Sequence, residues 1–267
     1  MTKIAMLGVG RMGREIIKRA VEEGLDVVAA IDSPENPIIG KDAGVVSGTD
    51  ALGVKISSAA ELESTLKETK PQVVVDFTNA EACFWNFKLI CRRGINVVVG
   101  TTGFSDEQLS EMKREAIKCN IGVVISPNMS VGVNIFWDLV RRATKNLMDY
   151  DVEIIEQHHR FKKDSPSGTA LRTAEIIAEE MEKNLKDIAV YGRKGSRERE
   201  RGEIGIHAIR AGDIVGEHTV IYATLGERIE VTHKAHSRTA FVNGVIKAIE
   251  FIKDKKGIYG MNDVLNI

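Results

Sequence analysis

The chain has 267 residues, enough for two domains or one large one with a substantial core. Its 37 Lys and Arg against 38 Asp and Glu give a formal net charge of −1, which argues against a dedicated nucleic-acid binder with its basic excess. A hydrophobic fraction of 43% with five prolines reads as globular, not disordered. No apolar run is long enough to span a bilayer, and the short apolar N-terminus lacks the h-region of a signal peptide, so no membrane partner is expected. Cys83, Cys91 and Cys119 form no CxxC pair, which fits a reduced, cytoplasmic protein with structural thiols.

The first half alternates strands and helices. Residues 3–7, 27–31, 73–77, 97–99 and 123–125 are short apolar runs rich in β-branched residues, the mark of strands buried on both faces. Residues 13–23, 59–68, 80–93 and 106–119 carry helical spacing between them. The pattern predicts an α/β fold with a doubly wound parallel (Rossmann-like) sheet over 1–129. Beyond Asn128 the rhythm changes. A helix over 130–147, an alternating strand over 152–157 and an amphipathic helix over 166–185 precede strand patterns at 188–191, 204–210, 218–224 and 228–233. Strands without intervening helices predict a second α+β domain on a mixed sheet, residues 130–238. A last helix over 239–253, within a C-terminal segment 239–267, is expected to return to the first domain. Residues 193–203 have no periodicity and read as a solvated loop.

Gly8-Val9-Gly10-Arg11-Met12-Gly13 follows a strand and opens a helix, the context in which GxGxxG spacing cradles a dinucleotide pyrophosphate. The first glycine permits the turn, the second lets the backbone approach the phosphates, and the third lets helix and strand pack closely. Asp32 ends the second strand, where a carboxylate accepts the adenine ribose hydroxyls. A tight turn with Asp32 as a plain cap is the blander account. An acid there repels a 2′-phosphate, and neutral Ser33 beside it does not offset this, so NADH is favoured over NADPH. Gly100-Thr101-Thr102 and Ser126-Pro127-Asn128-Met129 follow further strands and suit contacts with nicotinamide and its ribose.

From His158 to Lys163, five potential cations occupy six positions: His158, His159, Arg160, Lys162 and Lys163. Hydride addition to a double bond leaves electron density that a proton must quench, and a histidine or lysine can deliver it. The next residues, Ser165-Pro166-Ser167-Gly168-Thr169, read as a helix start with Ser165 as N-cap and Pro166 in the first turn. Gly168 and Thr169 then offer backbone N–H groups at the positive end of the helix, a place for a carboxylate. A dicarboxylate held there by His159 and the lysines would be well neutralised; a solvated basic loop is the alternative. His158 and His159 are adjacent and point to opposite faces of a strand, so no metal site is expected.

The sequence resembles the 4-hydroxy-tetrahydrodipicolinate reductase (dihydrodipicolinate reductase) family of lysine and diaminopimelate biosynthesis. The residues that carry the resemblance run nearly the whole chain: Gly8 to Arg14, Asp76-Phe77-Thr78, Gly100 to Phe104, Glu153 to Ala170, Arg210 to His218 and Thr232 to Ala235. It implies reduction of a cyclic dicarboxylate, with loss of water, by hydride from NADH or NADPH. It further implies His158 as proton donor/acceptor, Lys162 as second proton donor, and His159, Gly168 and Thr169 as substrate-carboxylate ligands. Cofactor contacts would fall on Gly8, Val9, Gly10, Arg11, Met12, Gly13, Asp32, Gly100, Thr101, Thr102, Ser126, Pro127, Asn128 and Met129. A homotetramer formed through the second domain's sheet is implied as well. Ser33 departs from the arginine that many of these proteins carry after the acidic residue, which keeps the lean to NADH.

Two other readings explain part of the sequence. A dehydrogenase acting on aspartate or homoserine accounts for the glycine loop but gives residues 158–169 no task. A nucleotide-sensing module has no use for proton donors beside a carboxylate site.

Overall fold

Alternating valine-rich and amphipathic segments become strands and helices in the computed structural model, which describes residues 1–267. The chain begins with β1 (Lys3–Leu7), α1 (Arg11–Glu22), β2 (Asp26–Asp32), α2 (Ala43–Ser47), β3 (Ile56–Ser58), α3 (Leu62–Thr69) and β4 (Val73–Asp76). It continues through α4 (Ala80–Arg92), β5 (Asn96–Val99), α5 (Asp106–Lys118), β6 (Gly122–Ile125) and α6 (Val131–Asn146). Then come β7 (Asp151–His158), α7 (Gly168–Glu180), α8 (Leu185–Ile188), β8 (Ala189–Tyr191), β9 (Ile204–Arg210), β10 (Gly216–Thr224) and β11 (Glu227–Ala235). The last elements are α9 (Thr239–Ile252), β12 (Gly257–Tyr259) and α10 (Met261–Leu265). Two units result, one of Met1–Val131 with Phe241–Asn266, the other of Gly132–Ala240 with the terminal residue.

The first unit holds an all-parallel sheet of seven strands in the order β12-β6-β5-β4-β1-β2-β3. Alternate residues of each inner strand serve opposite faces. Ile4 and Met6 join a core with Ile16 and Ile17 of α1 and Val245 and Ile249 of α9, while Ala5 and Leu7 join Phe87 and Ile90 of α4 and Met112 of α5. Both faces being covered is why these strands read as continuous apolar runs. Helix starts are set by local chemistry: Asn79 caps α4 through the Ala82 N–H (3.0 Å), and Ser105 forms a reciprocal capping box with Gln108 on α5 (3.2 and 2.9 Å).

The second unit is built on a mixed sheet in the order β11-β10-β7-β9-β8, with β7–β9 and β8–β9 parallel and β7–β10 and β10–β11 antiparallel. One face carries the core: Val152 and Ile154 of β7 pack with Phe136 and Val140 of α6 and Ala174 and Ile177 of α7.

Two sequence expectations are corrected. The helix predicted from residue 166 starts at Gly168, and its N-cap is Ser167, not Ser165. Ser167 is extended (φ −68°, ψ 152°), its Oγ accepts the Ala170 N–H at 3.2 Å, and its own N–H is drawn off to the Glu156 carboxylate at 2.9 Å. Pro166 therefore lies outside the helix. That helix also ends at Glu180, before the separate turn α8. Residues 193–203 are a loop, but a fastened one: Arg193 and Arg199 reach Glu153 at 2.5 and 3.2 Å, and Arg197 reaches Glu203 at 2.5 Å.

One buried side chain ties β5 and β6 to the end of α9. Asn96, 4% exposed, donates to the carbonyls of Ile252 (2.7 Å), Lys253 and Lys255 (both 3.2 Å) and accepts the Gly122 N–H (2.8 Å). Asn96→Leu would leave these groups without partners, and chemical denaturation is expected to show a loss of at least about 3 kcal/mol.

Candidate active site

The residues expected to contact a dinucleotide lie at the carboxyl ends of β1, β2, β5 and β6, all within the first unit. Gly8 has φ +85°, and a side chain there would meet the Phe77 carbonyl at 2.6 Å. A Cβ on Gly13 would lie 2.0 Å from the Gly8 carbonyl, so glycine is what lets α1 sit against the turn. Gly10 differs, because a Cβ there meets nothing within 4 Å. It is the N-cap of α1 and supplies no side-chain hydrogen bond, so the amides of Arg11, Met12 and Gly13 open a positive helix end without an internal cap. That arrangement fits a pyrophosphate. Asp32 is drawn to the same turn: its carboxylate accepts the Val9 N–H at 2.6 Å, the Ser33 N–H at 2.7 Å and the Asn36 amide at 3.1 Å. Ser33 in turn donates to Glu35 at 3.2 Å, which puts a second carboxylate beside Asp32.

The other two loops have more structural work than their sequences suggest. Thr101 is buried and its hydroxyl donates to Asp76 at 3.1 Å, while a side chain on Gly100 would collide with the Phe77 ring. Thr102 and Pro127 are exposed. Ser126 donates to the Asn128 carbonyl at 2.8 Å, and Met129 points into the core. Asp76 was not among the expected site residues, yet it organises this edge. Nearly inaccessible, it accepts both the N–H (3.0 Å) and the hydroxyl (2.6 Å) of Thr78 besides Thr101.

In the second unit β7 alternates strictly, with Val152, Ile154, Glu156 and His158 all inward. Glu156 therefore sits on the face that carries the apolar core, fully buried. Its Oε2 accepts from His158 Nδ1 at 2.6 Å and Arg210 at 2.8 Å; its Oε1 accepts the Ser167 N–H at 2.9 Å and Arg210 at 2.8 Å. Burial alone would raise this carboxyl, but the bonds from His158, Arg210 and Ser167 outweigh it and bring it down to about 2. Register explains the grouping: Arg210 of β9 pairs with His158, and His218 of β10 pairs with Glu156 and, on its other side, with His233 of β11. His218 Nε2 meets Ser167 Oγ at 3.1 Å, and its ring lies 5.2 Å from that of His158. Burial first, then the neighbouring His158, pushes His218 down to about 3.

Beyond β7 the chain turns back, with the Lys162 N–H bonded to the His159 carbonyl at 3.1 Å. Lys162 Nζ contacts both oxygens of Asp164 (2.9 and 2.8 Å), and the Asp164 carbonyl accepts from Arg210 at 2.6 Å. His159 Nδ1 is buried without a partner. Gly168 has open space where a Cβ would be. Thus the strand end, the Lys162 loop and the first turn of α7, with Gly168 and Thr169, are tied together by one carboxylate–guanidinium pair. Sequence reasoning missed Glu156, Ser167, Arg210 and His218. The available signal was a glutamate in phase with Val152 and Ile154.

Residues 2–129 match the family model described as dihydrodipicolinate reductase, N-terminus, and residues 132–265 the one described as its C-terminus. The 4-hydroxy-tetrahydrodipicolinate reductase of Methanocaldococcus jannaschii is 52% identical, covering 100% of this chain and 98% of that protein. That of Methanothermobacter thermautotrophicus is 48% identical with both chains fully covered. Among solved structures, a dipicolinate-bound dihydrodipicolinate reductase from Paenisporosarcina sp. TG-14 superposes with a TM-score of 0.78 at 27% identity, covering 98% of this chain and 99% of that one.

The His218 environment sets a pH dependence of stability. Folded His218 stays neutral down to about 3, whereas in the unfolded chain it takes up a proton near its ordinary value of ~6.5. Stability therefore falls as pH drops below that ordinary value; Glu156, whose folded value is depressed, adds its own loss only below the ordinary carboxylate range. His218→Gln is expected to shrink the fall in Tm between about pH 7 and pH 5 by on the order of 5 °C, read by thermal melts at each pH.

Proposed function

The chain belongs to the dihydrodipicolinate reductase family, and from that premise we propose that it reduces 4-hydroxy-tetrahydrodipicolinate to tetrahydrodipicolinate, with loss of water, in lysine and diaminopimelate biosynthesis. The observation that carries this reading is the convergence of His158, the Lys162 loop and the first turn of α7 on the Glu156–Arg210 pair. A proton-exchanging ring and a carboxylate-holding helix end are what a cyclic dicarboxylate requires at one place.

A bound nicotinamide supplies the hydride. The residues Gly8, Val9, Gly10, Arg11, Met12, Gly13 and Asp32 would hold the nucleotide's phosphates and ribose, and the loops at Gly100, Thr101, Thr102 and at Ser126, Pro127, Asn128, Met129 would contact its nicotinamide and ribose. Asp32 with Glu35 reached through Ser33 makes two carboxylates where a 2′-phosphate would sit, which supports NADH over NADPH.

Loss of water takes the 4-hydroxyl together with a proton from the neighbouring carbon; hydride addition at the 4-position then returns a proton to that neighbour, so one proton is consumed overall. His158 exchanges one of these through Nε2, since Nδ1 is bonded to Glu156. Lys162, at hand beside Asp164, donates the second. His159, Gly168 and Thr169 bind the carboxylates: the unpartnered His159 Nδ1 and the open space over Gly168 support this. The chain works in the cytoplasm, in keeping with three unpaired cysteines. It assembles as a homotetramer through the outward face of the mixed sheet, where Ile209, paired with Gln157 of β7, is 42% exposed.

His158→Gln and Lys162→Met are each expected to lower kcat by on the order of 10²–10⁴-fold, with NADH affinity unchanged by fluorescence titration. Near-parent turnover in either variant removes its assigned role. With the parent enzyme, kcat/KM should favour NADH over NADPH by about tenfold or more, equal to ~1.4 kcal/mol of repulsion; an NADPH preference overturns the cofactor reading.

A further inference from the structure

Glu156 has no part in the chemistry just assigned, although four hydrogen bonds from His158, Ser167 and both terminal nitrogens of Arg210 end on it. Its charge is fixed by those donors, so it can only accept. A neutral imidazole has two tautomers, and an accepting carboxylate 2.6 Å from Nδ1 selects the one with the proton there. The remaining nitrogen, Nε2, faces Gly216, where even a Cβ would come within 3.0 Å of it. The groups around the ring are Glu156 from its own strand, Arg210 from β9, His218 from β10, and Lys162 with Asp164 from the loop that follows.

We propose that Glu156 is the positioning residue of this site: it locks His158 as the Nδ1–H tautomer, leaving Nε2 as the proton-exchanging atom, and with its other oxygen sets the first turn of α7 through Ser167. The inference rests on the reductase reading of His158. A hydrogen bond to a charged acceptor is worth about 1.5–3 kcal/mol, enough to bias the tautomers tenfold or more. The carboxylate is required for a specific reason. In Glu156→Gln the side chain has one accepting and one donating end. Each end meets an Arg210 N–H, and the Oε1 end meets the Ser167 N–H as well; none of these can become an acceptor. The His158 ring is the one partner able to switch, by moving its proton to Nε2. The amide nitrogen therefore turns toward His158, and the ring takes the wrong tautomer while α7 keeps its anchor.

The test is ring-nitrogen NMR on histidine-labelled protein, with the His158 signals assigned by their loss in His158→Gln. The parent should show a protonated Nδ1 and a bare Nε2. Glu156→Gln should show the reverse, with kcat lowered on the order of 10³–10⁴-fold. Its Kd values for NADH and dipicolinate should stay within about threefold of the parent, because uniform binding is untouched. A parent spectrum with Nε2 protonated overturns the inference even if the variant fails to fold. Turnover of Glu156→Gln near the parent level overturns it, as does loss of turnover with Nδ1 still protonated. If His158→Gln itself turns over normally, the reading of His158 as proton donor fails instead, and the two failures are told apart.

Discussion

A carboxylate placed among Val152, Ile154 and the helices packed on them is the constraint around which the second unit is arranged. Removing an ionised carboxylate from water costs several kcal/mol even after relaxation, and nothing apolar can repay it. Glu156 is tolerated because Arg210 meets it with two parallel N–H bonds, and because His158 and the Ser167 N–H take up the remaining lone pairs. Replacing such a pair by hydrophobic residues is often neutral or stabilising, so its value here lies in position. Each donor comes from a different element: His158 ends β7, Arg210 ends β9, and Ser167 precedes α7. A one-residue slip of β7 would turn Glu156 and His158 outward and dissolve the arrangement.

The first unit uses carboxylates differently. Asp32 and Asp76 stand at the ends of β2 and β4 and bind backbone N–H groups and hydroxyls of the loops around them. They shape turns; the glycines keep those turns open. Gly8 and Gly13 are fixed by contact with their own surroundings, whereas Gly10 borders empty space. Two glycines of the motif thus serve the fold, and the third leaves the start of α1 open.

Much of this was legible in the sequence, and the omissions have physical causes. The buried parallel strands were read from runs such as Val97-Val98-Val99 because burial on both faces removes polar interruptions. β3 and β12 escaped notice because three residues, two of them serines in β3, carry no period to detect. The start of α7 was misplaced by two residues: Ser165-Pro166 has the right local chemistry, but Ser167 is held by Glu156, eleven positions earlier. Tertiary contact decided between two serines that propensity could not rank. The loop at 193–203 hid its role likewise, since Arg193 and Arg199 find partners at Glu153 and Asp151, some 40 residues away in sequence. Glu156, Arg210 and His218 could have been suspected. A charged residue in phase with buried aliphatic ones has to be paired, and the strands that pair with β7 are the place to look.

The charge pattern also indicates how an anion would be held. Glu156 with Arg210, and Asp164 with Lys162, are two neutral pairs and leave little net field between them. Attraction for a dianion must then come from groups outside these pairs: the histidines, Arg160, Lys163 and the amide end of α7. Of these the helix end is the most dependable, because its dipole has no ionisation to lose and its orientation is set by the same carboxylate that sets His158. A carboxylate seated on Gly168 and Thr169 would in this way be registered against the imidazole through one rigid group. A proton transfer that fails when misplaced by about 1 Å gains more from that shared reference than from any additional positive charge.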